Sequence, residues 1–209
     1  MFRDRLEAAE RLARQLSHLR GHAPLVLAIP RGAVPMGRHI ADALEGELDV
    51  VLVRKIGAPG SPEFAIGAVS DNGSVALDDA ARHFPQAPVT REVEKQQTLL
   101  DERRRRYTPV RAPLDPRGRE VVVVDDGSAT GATMAAALTL LGTRGPQRLT
   151  AALGAASPDA LARLEPLADE VVCLTSPSDF RGVGQFYADF AQVEEEEVIA
   201  LLKGDRNAR

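Results

Sequence analysis

At 209 residues and 22.4 kDa the chain is long enough for one substantial core with a small appended part, and too short for two full domains. Its 44% hydrophobic and 27% charged residues exclude a disordered or fibrous protein. A formal net charge of -4 and a pI of about 5.6 exclude a general attraction to nucleic-acid backbones, so any anion must be held locally.

In chain order, Phe2, Leu6, Ala9, Ala13, Leu16 and Leu19 recur at helical spacing and predict an amphipathic helix. Charges run through this stretch, which fits neither a signal peptide nor a membrane span, and a cytoplasmic location is the expectation. The run LVLAI over 25–29 reads as a strand covered on both faces, ending abruptly in Pro30-Arg31-Gly32. A helix over 35–44 follows, then a second buried strand over 49–53 with Arg54 and Lys55 at its C-terminal end. The stretch IGAPGSPE over 56–63 is rich in Gly, Pro and Ser and predicts a mobile connection, a candidate lid. Short β-like pieces near 65–69 and 74–77 precede a polar helix over 91–106, in which the run of Arg103, Arg104, Arg105 and Arg106 beside Asp101 and Glu102 reads as a solvated face.

The strongest pattern begins at Glu120, where VVVV leads through Asp125, Asp126 and a run of small residues into the helix-prone MAAALTLL. A strand near 149–153, a helix over 158–164 and a strand over 170–174 continue the alternation. Such an order predicts an α/β fold with a mainly parallel central sheet, flanking helices, and ligands at the C-terminal ends of the strands. The single Cys173 has no partner for an intramolecular disulfide and reads as a small buried hydrophobe. From 175 onward the pattern breaks, and Phe180, Phe186, Tyr187 and Phe190 supply half of the eight aromatics, 6 Phe and 2 Tyr.

The segment after strand 121–124 carries chemistry. Ser128, Ala129, Thr130, Gly131, Ala132 and Thr133 are all small and lead into a helix N-terminus, where unpaired N–H groups and the helix dipole favour a phosphate. Neither the Gly-Lys-Ser/Thr of a P-loop nor the Gly-x-Gly-x-x-Gly of dinucleotide binders is present. Asp125 and Asp126 repel phosphate but accept from hydroxyls and can hold a hydrated cation, so the pair and the loop together suit a phosphate beside a sugar diol.

At this point VVVDDGSATGATM resembles the thirteen-residue motif for 5-phosphoribosyl 1-pyrophosphate (PRPP) of the type I phosphoribosyltransferases. The resemblance spans roughly residues 25–155 and implies that fold, with a small hood. It implies one domain over 1–209: a core over about 20–175, a flexible loop over about 56–70, and a hood over about 175–205 to which the N-terminal helix contributes. It further implies phosphoribosyl transfer between PRPP and a nitrogenous base, with Mg2+ as cofactor, in a homodimer. Asp125 and Asp126 would bind the ribose hydroxyls and hold the metal through water, and Ser128, Ala129, Thr130, Gly131, Ala132 and Thr133 the 5′-phosphate. Arg31, Gly32 and Ala33 resemble the pyrophosphate loop, with a cis peptide expected near Pro30-Arg31. Arg54 and Lys55 resemble the basic pair that stabilises the leaving pyrophosphate. Glu63 is the candidate general acid/base, and Phe186 and Tyr187 the candidate base-stacking rings. Ala129 stands where enzymes for 6-oxopurines carry an Asp, which argues against hypoxanthine and guanine. A PRPP-binding regulatory protein without transfer is the alternative function.

Overall fold

The computed structural model describes residues 1–204, apart from the side chains of Pro62 and Glu63. Helix α1 (Arg5–Gln15), strand β1 (Leu25–Ala28), helix α2 (Val34–Leu44) and strand β2 (Glu47–Val50) come first. Three strands follow, β3 (Val53–Ala58), β4 (Ser61–Ser70) and β5 (Val75–Leu77), then the long helix α3 (Gln86–Tyr107). The second half alternates: β6 (Glu120–Ser128), α4 (Ala132–Gly142), β7 (Arg148–Ala156), α5 (Pro158–Leu164), β8 (Glu170–Thr175) and finally α6 (Glu195–Lys203).

The central sheet has the order β2-β1-β6-β7-β8 and all its pairings are parallel. Its inner strands carry apolar runs where both faces are covered, and alternate side chains of those runs divide between two cores. Val26, Ala28, Val122 and Val124 pack with α1, α2 and α6 on one face, while Leu25, Leu27, Val121 and Val123 pack with α4 and α5 on the other. Local chemistry starts the helices: the Asp4 carboxylate accepts from the Glu7 N–H at 2.8 Å to cap α1, and the Ser157 hydroxyl accepts from the Ala160 N–H to cap α5. Among the described residues no helix is long and apolar enough to cross a membrane. Cys173 is half-buried rather than fully buried, and its thiol donates to the Thr175 carbonyl at 3.2 Å.

The stretch 56–63 departs from the expected mobile connection. Ile56, Gly57 and Ala58 end β3, Ser61 opens β4, and only Pro59 and Gly60 make the turn, Gly60 at a positive φ of 81° that suits glycine. The antiparallel sheet β3-β4-β5 results, pinned to the core by the fully buried Ile56 and Ile66. Gly and Pro served a tight hairpin here, and the anchoring isoleucines decided between turn and free loop. Arg54 and Lys55 are displaced from expectation for the same reason. The apolar run divides at Val51 and Leu52, so both cations lie inside β3 instead of ending a parallel strand.

Arg104 is a second departure, since it is buried rather than part of a solvated face. Its guanidinium donates to both Asp49 carboxylate oxygens, at 3.1 and 3.2 Å, and its Nε lies 3.5 Å from Asp71 in the turn after β4. Asp49 also accepts from the N–H groups of Val50 and Leu114. One helix residue thereby ties the edge strand of the central sheet to the small sheet.

Asp71 gives this junction a pH dependence. Burial pushes its carboxyl up to about 6, helped by the Asp49 charge and opposed by Arg104. A carboxyl whose folded pKa is raised contributes stability that is full below its unfolded pKa, near 3.8, and is lost as pH rises through about 6. We therefore expect Asp71→Asn to flatten the stability profile between these values and to gain about 2–3 kcal/mol at neutral pH, the opposing attraction to Arg104 being already contained in the net shift. Urea unfolding at pH 4 and pH 7 checks this, and identical pH slopes in the two proteins would refute it.

Candidate active site

The site forms where β6 meets α4. Strand β6 runs on through the acid pair because its pairing with β7 continues to Gly127 opposite Ala155 and Ser128 opposite Ala156. Asp125 and Asp126 therefore sit on a strand end and not in a loose loop, which holds their backbones in place. Burial first, and the neighbouring Asp126 charge second, hold the Asp125 carboxyl well above the ordinary range. Its Oδ1 accepts from the Asp126 N–H at 3.0 Å.

Beyond the strand, Gly131 caps α4 with φ of 71°, and an added Cβ would lie 3.2 Å from the Ala160 carbonyl, so both conformation and space ask for glycine. The Ser128 hydroxyl accepts from the Gly131 N–H at 3.0 Å, and the Ser157 hydroxyl donates to the Ala129 carbonyl at 2.7 Å. These bonds fix the loop from inside. The N-cap Gly131 has no side chain to cap α4, the Thr130 hydroxyl accepts from the Ala132 N–H only at a long 3.4 Å, and Ala129, Thr130 and Thr133 are exposed, so an anion can reach the helix N-terminus.

Two other expected elements converge on this junction. The loop after β1 contains a cis peptide at Pro30-Arg31, as expected, and brings Gly32 against the acid pair: a Cβ on Gly32 would lie 2.2 Å from Asp126 Oδ2. Ala33 is buried as the N-cap of α2, and the Arg31 guanidinium lies 3.5 Å from Glu194. Arg54 and Lys55 share a cleft of about 370 Å3 with Ala132 and Thr133, so the basic pair faces the α4 N-terminus despite its unexpected strand. Arg54 Nε donates to the buried Gln96, whose amide donates to Glu92 at 2.6 Å. Lys55 also borders an adjoining, more apolar cleft of about 780 Å3 with Phe64, Leu77, Thr130 and Ala136. The Glu63 side chain lies outside the described residues.

Phe186 and Tyr187 are both buried, 9% and 5% exposed. Tyr187 packs on Phe2 and Phe190, and its hydroxyl donates to the Asp126 main-chain carbonyl at 2.6 Å. Burial and the nearby carboxylates push this phenol upward. An added Cβ on Gly154 would lie 2.1 Å from that hydroxyl. A glycine inside a strand marks close approach of another group, a signal Gly154 offered. The N-terminus is bound to the same segment, with Phe2 N–H donating to Phe186 O at 2.6 Å and Ala188 N–H to Phe2 O at 2.8 Å.

Sequence reasoning missed Arg5. Its Nε donates to Asp126 Oδ2 at 2.8 Å, its Nη1 to Ala191 O at 2.6 Å, and its guanidinium lies 3.9 Å over the Phe190 ring. Nothing in a charged amphipathic helix distinguishes this arginine from its neighbours.

The family model described as the phosphoribosyl transferase domain matches residues 3–191, and the chain belongs to that family. The crystal structure of the protein TT1426 from Thermus thermophilus is similar at 48% identity and a TM-score of 0.92, covering 97% of this chain and 98% of that one. Relatives from two Mycobacterium tuberculosis strains, CDC 1551 / Oshkosh and H37Rv, each bearing a provisional phosphoribosyl transferase name, are 40% identical over 205 residues. The chain spans 46% of the length of those relatives.

Proposed function

We propose that the chain transfers a phosphoribosyl group between PRPP and a nitrogenous base, releasing pyrophosphate. The observation that carries this reading is the convergence of Asp125, Asp126, the open α4 N-terminus and Gly32 on the end of β6. In it, Asp125 and Asp126 accept from the ribose hydroxyls. Ser128, Thr130, Thr133 and the N–H groups between them hold the 5′-phosphate, with Ala129, Gly131 and Ala132 keeping the backbone accessible. Arg31, Gly32 and Ala33 hold the pyrophosphate, and Arg54 and Lys55 stabilise the charge that grows on it as the anomeric C–O bond breaks. Glu63 is assigned proton transfer at the base.

The donor set suits a hydrated magnesium ion. Among the described residues no group of three ligating side chains forms a protein cage, whereas two adjacent carboxylates are what a partly hydrated Mg2+ takes when substrate oxygens complete its shell. When bound, the ion would neutralise charge on the leaving pyrophosphate. Base recognition is assigned to the segment 175–190, where the buried Phe186 and Tyr187 set the position of the chain rather than offering open ring faces.

The test is a PRPP and Mg2+ titration by calorimetry followed by turnover with a panel of bases. Saturable binding with pyrophosphate release on one base supports the proposal. Binding without release on any base supports a PRPP-responsive regulatory protein instead, and no binding overturns both.

A further inference from the structure

We propose that Arg5 is a positioning residue of this site, acting through the Asp126 carboxylate. The proposal rests on the phosphoribosyl-transfer reading above. Asp126 is held at two points by parts of the chain far from it in sequence: Arg5 Nε donates to Oδ2 at 2.8 Å, and the Tyr187 hydroxyl donates to the main-chain carbonyl at 2.6 Å. Gly32 closes the remaining side of Oδ2, since even a methyl group there would lie 2.2 Å away. Oδ2 is thus enclosed, while Oδ1 accepts no hydrogen bond from the described residues and is the oxygen left for a ribose hydroxyl.

The arginine is itself fixed. Its Nη1 donates to Ala191 O at 2.6 Å, and the guanidinium is stacked 3.9 Å over Phe190, which stacks in turn on Tyr187 at 5.0 Å between ring centroids. A planar guanidinium held by hydrogen bonds on two nitrogens and by a ring face has little freedom left, so it imposes one orientation on the carboxylate it bonds. Both side chains of the pair are only 13% exposed, so water and salt compete weakly for them. Without Arg5 the carboxylate would be free to rotate, and each orientation lost from the productive one weakens ribose binding. The N-terminal helix and the segment 187–191 would in this way set the geometry of an acid 121 residues from Arg5 and 61 from Tyr187.

A double-mutant cycle tests this with PRPP and Mg2+ titrated into the full chain. Arg5→Ala is expected to weaken PRPP binding about 10- to 100-fold, the loss typical of a charge-assisted hydrogen bond, and Arg5→Lys to recover part of it. In the Asp126→Asn background the same Arg5→Ala change is expected to cost less than about twofold, within the error of additivity, because its route to the ligand is already gone. A merely structural role, holding the chain ends together, would cost the same factor in both backgrounds and would overturn the proposal, as would wild-type affinity in Arg5→Ala. Thermal melts of each variant establish that the folded protein is being titrated, and Arg5→Lys carries the test if Arg5→Ala fails to fold. Absence of PRPP binding by the wild-type chain would overturn the functional reading and this proposal with it, whereas wild-type binding with additive effects overturns the proposal alone.

Discussion

Replacing Arg104 with methionine is expected to destabilise the fold by about 3–5 kcal/mol, the cost typical of removing one partner from a buried ion pair. Methionine fills much of the volume, so the loss is electrostatic. It leaves Asp49, 3% exposed at its side chain, and Asp71, 16% exposed, facing each other without their shared cation. Asp49 keeps two N–H donors, from Val50 and Leu114, which soften the penalty without removing it. For a chain of this size each kcal/mol moves Tm by about 2–4 °C, so calorimetry resolves the effect easily. Adding Asp49→Asn to Arg104→Met is expected to restore part of the stability, because the remaining group is then neutral. A melting temperature within a degree or so of wild type in Arg104→Met would show that the network carries no net stability.

Asp125→Asn and Asp126→Asn are each expected to weaken PRPP binding by about 10- to 150-fold, the equivalent of roughly 1.5–3 kcal/mol for a hydrogen bond to a charged acceptor. Asparagine keeps the shape of the side chain but replaces one acceptor oxygen with a donor, which a ribose hydroxyl or a hydrated cation meets unfavourably. The fold should survive in both. Asp125→Asn removes a carboxylate held under a desolvation penalty, so its thermal stability is expected to equal or exceed that of wild type. Calorimetric titration with PRPP and Mg2+ measures the affinity, and unchanged binding in both variants would eliminate the ribose role of the pair.

The parallel sheet and its ligand end were legible because their signal is local. Apolar runs at Leu25 and Val121 have no other stable place than between two layers of helices, and a small-residue loop after Asp126 can only open a helix there. The antiparallel sheet was not legible, because the same Gly, Pro and Ser content serves a tight turn or a free loop, and the choice lay with Ile56 and Ile66 finding the core. Arg104 and Arg5 were hidden for a related reason. Each sits among other charges on its helix, and its role comes from a carboxylate 55 or 121 residues away. Phe186 and Tyr187 show the limit from the other side, since aromatic content located an important segment without telling which rings it would bury.

The bond between Arg5 and Ala191 joins residues 186 positions apart. Closing so long a segment is entropically costly in a disordered chain and becomes favourable only once the intervening strands have assembled. The grip on Asp126 is therefore expected to form late in folding, after the sheet that carries it. Contacts made after the rate-limiting step restrain escape from the native state more than they hasten arrival, so changes at Arg5 or Tyr187 should leave the refolding rate almost untouched and accelerate unfolding. The chain would acquire its scaffold first and its ligand geometry last.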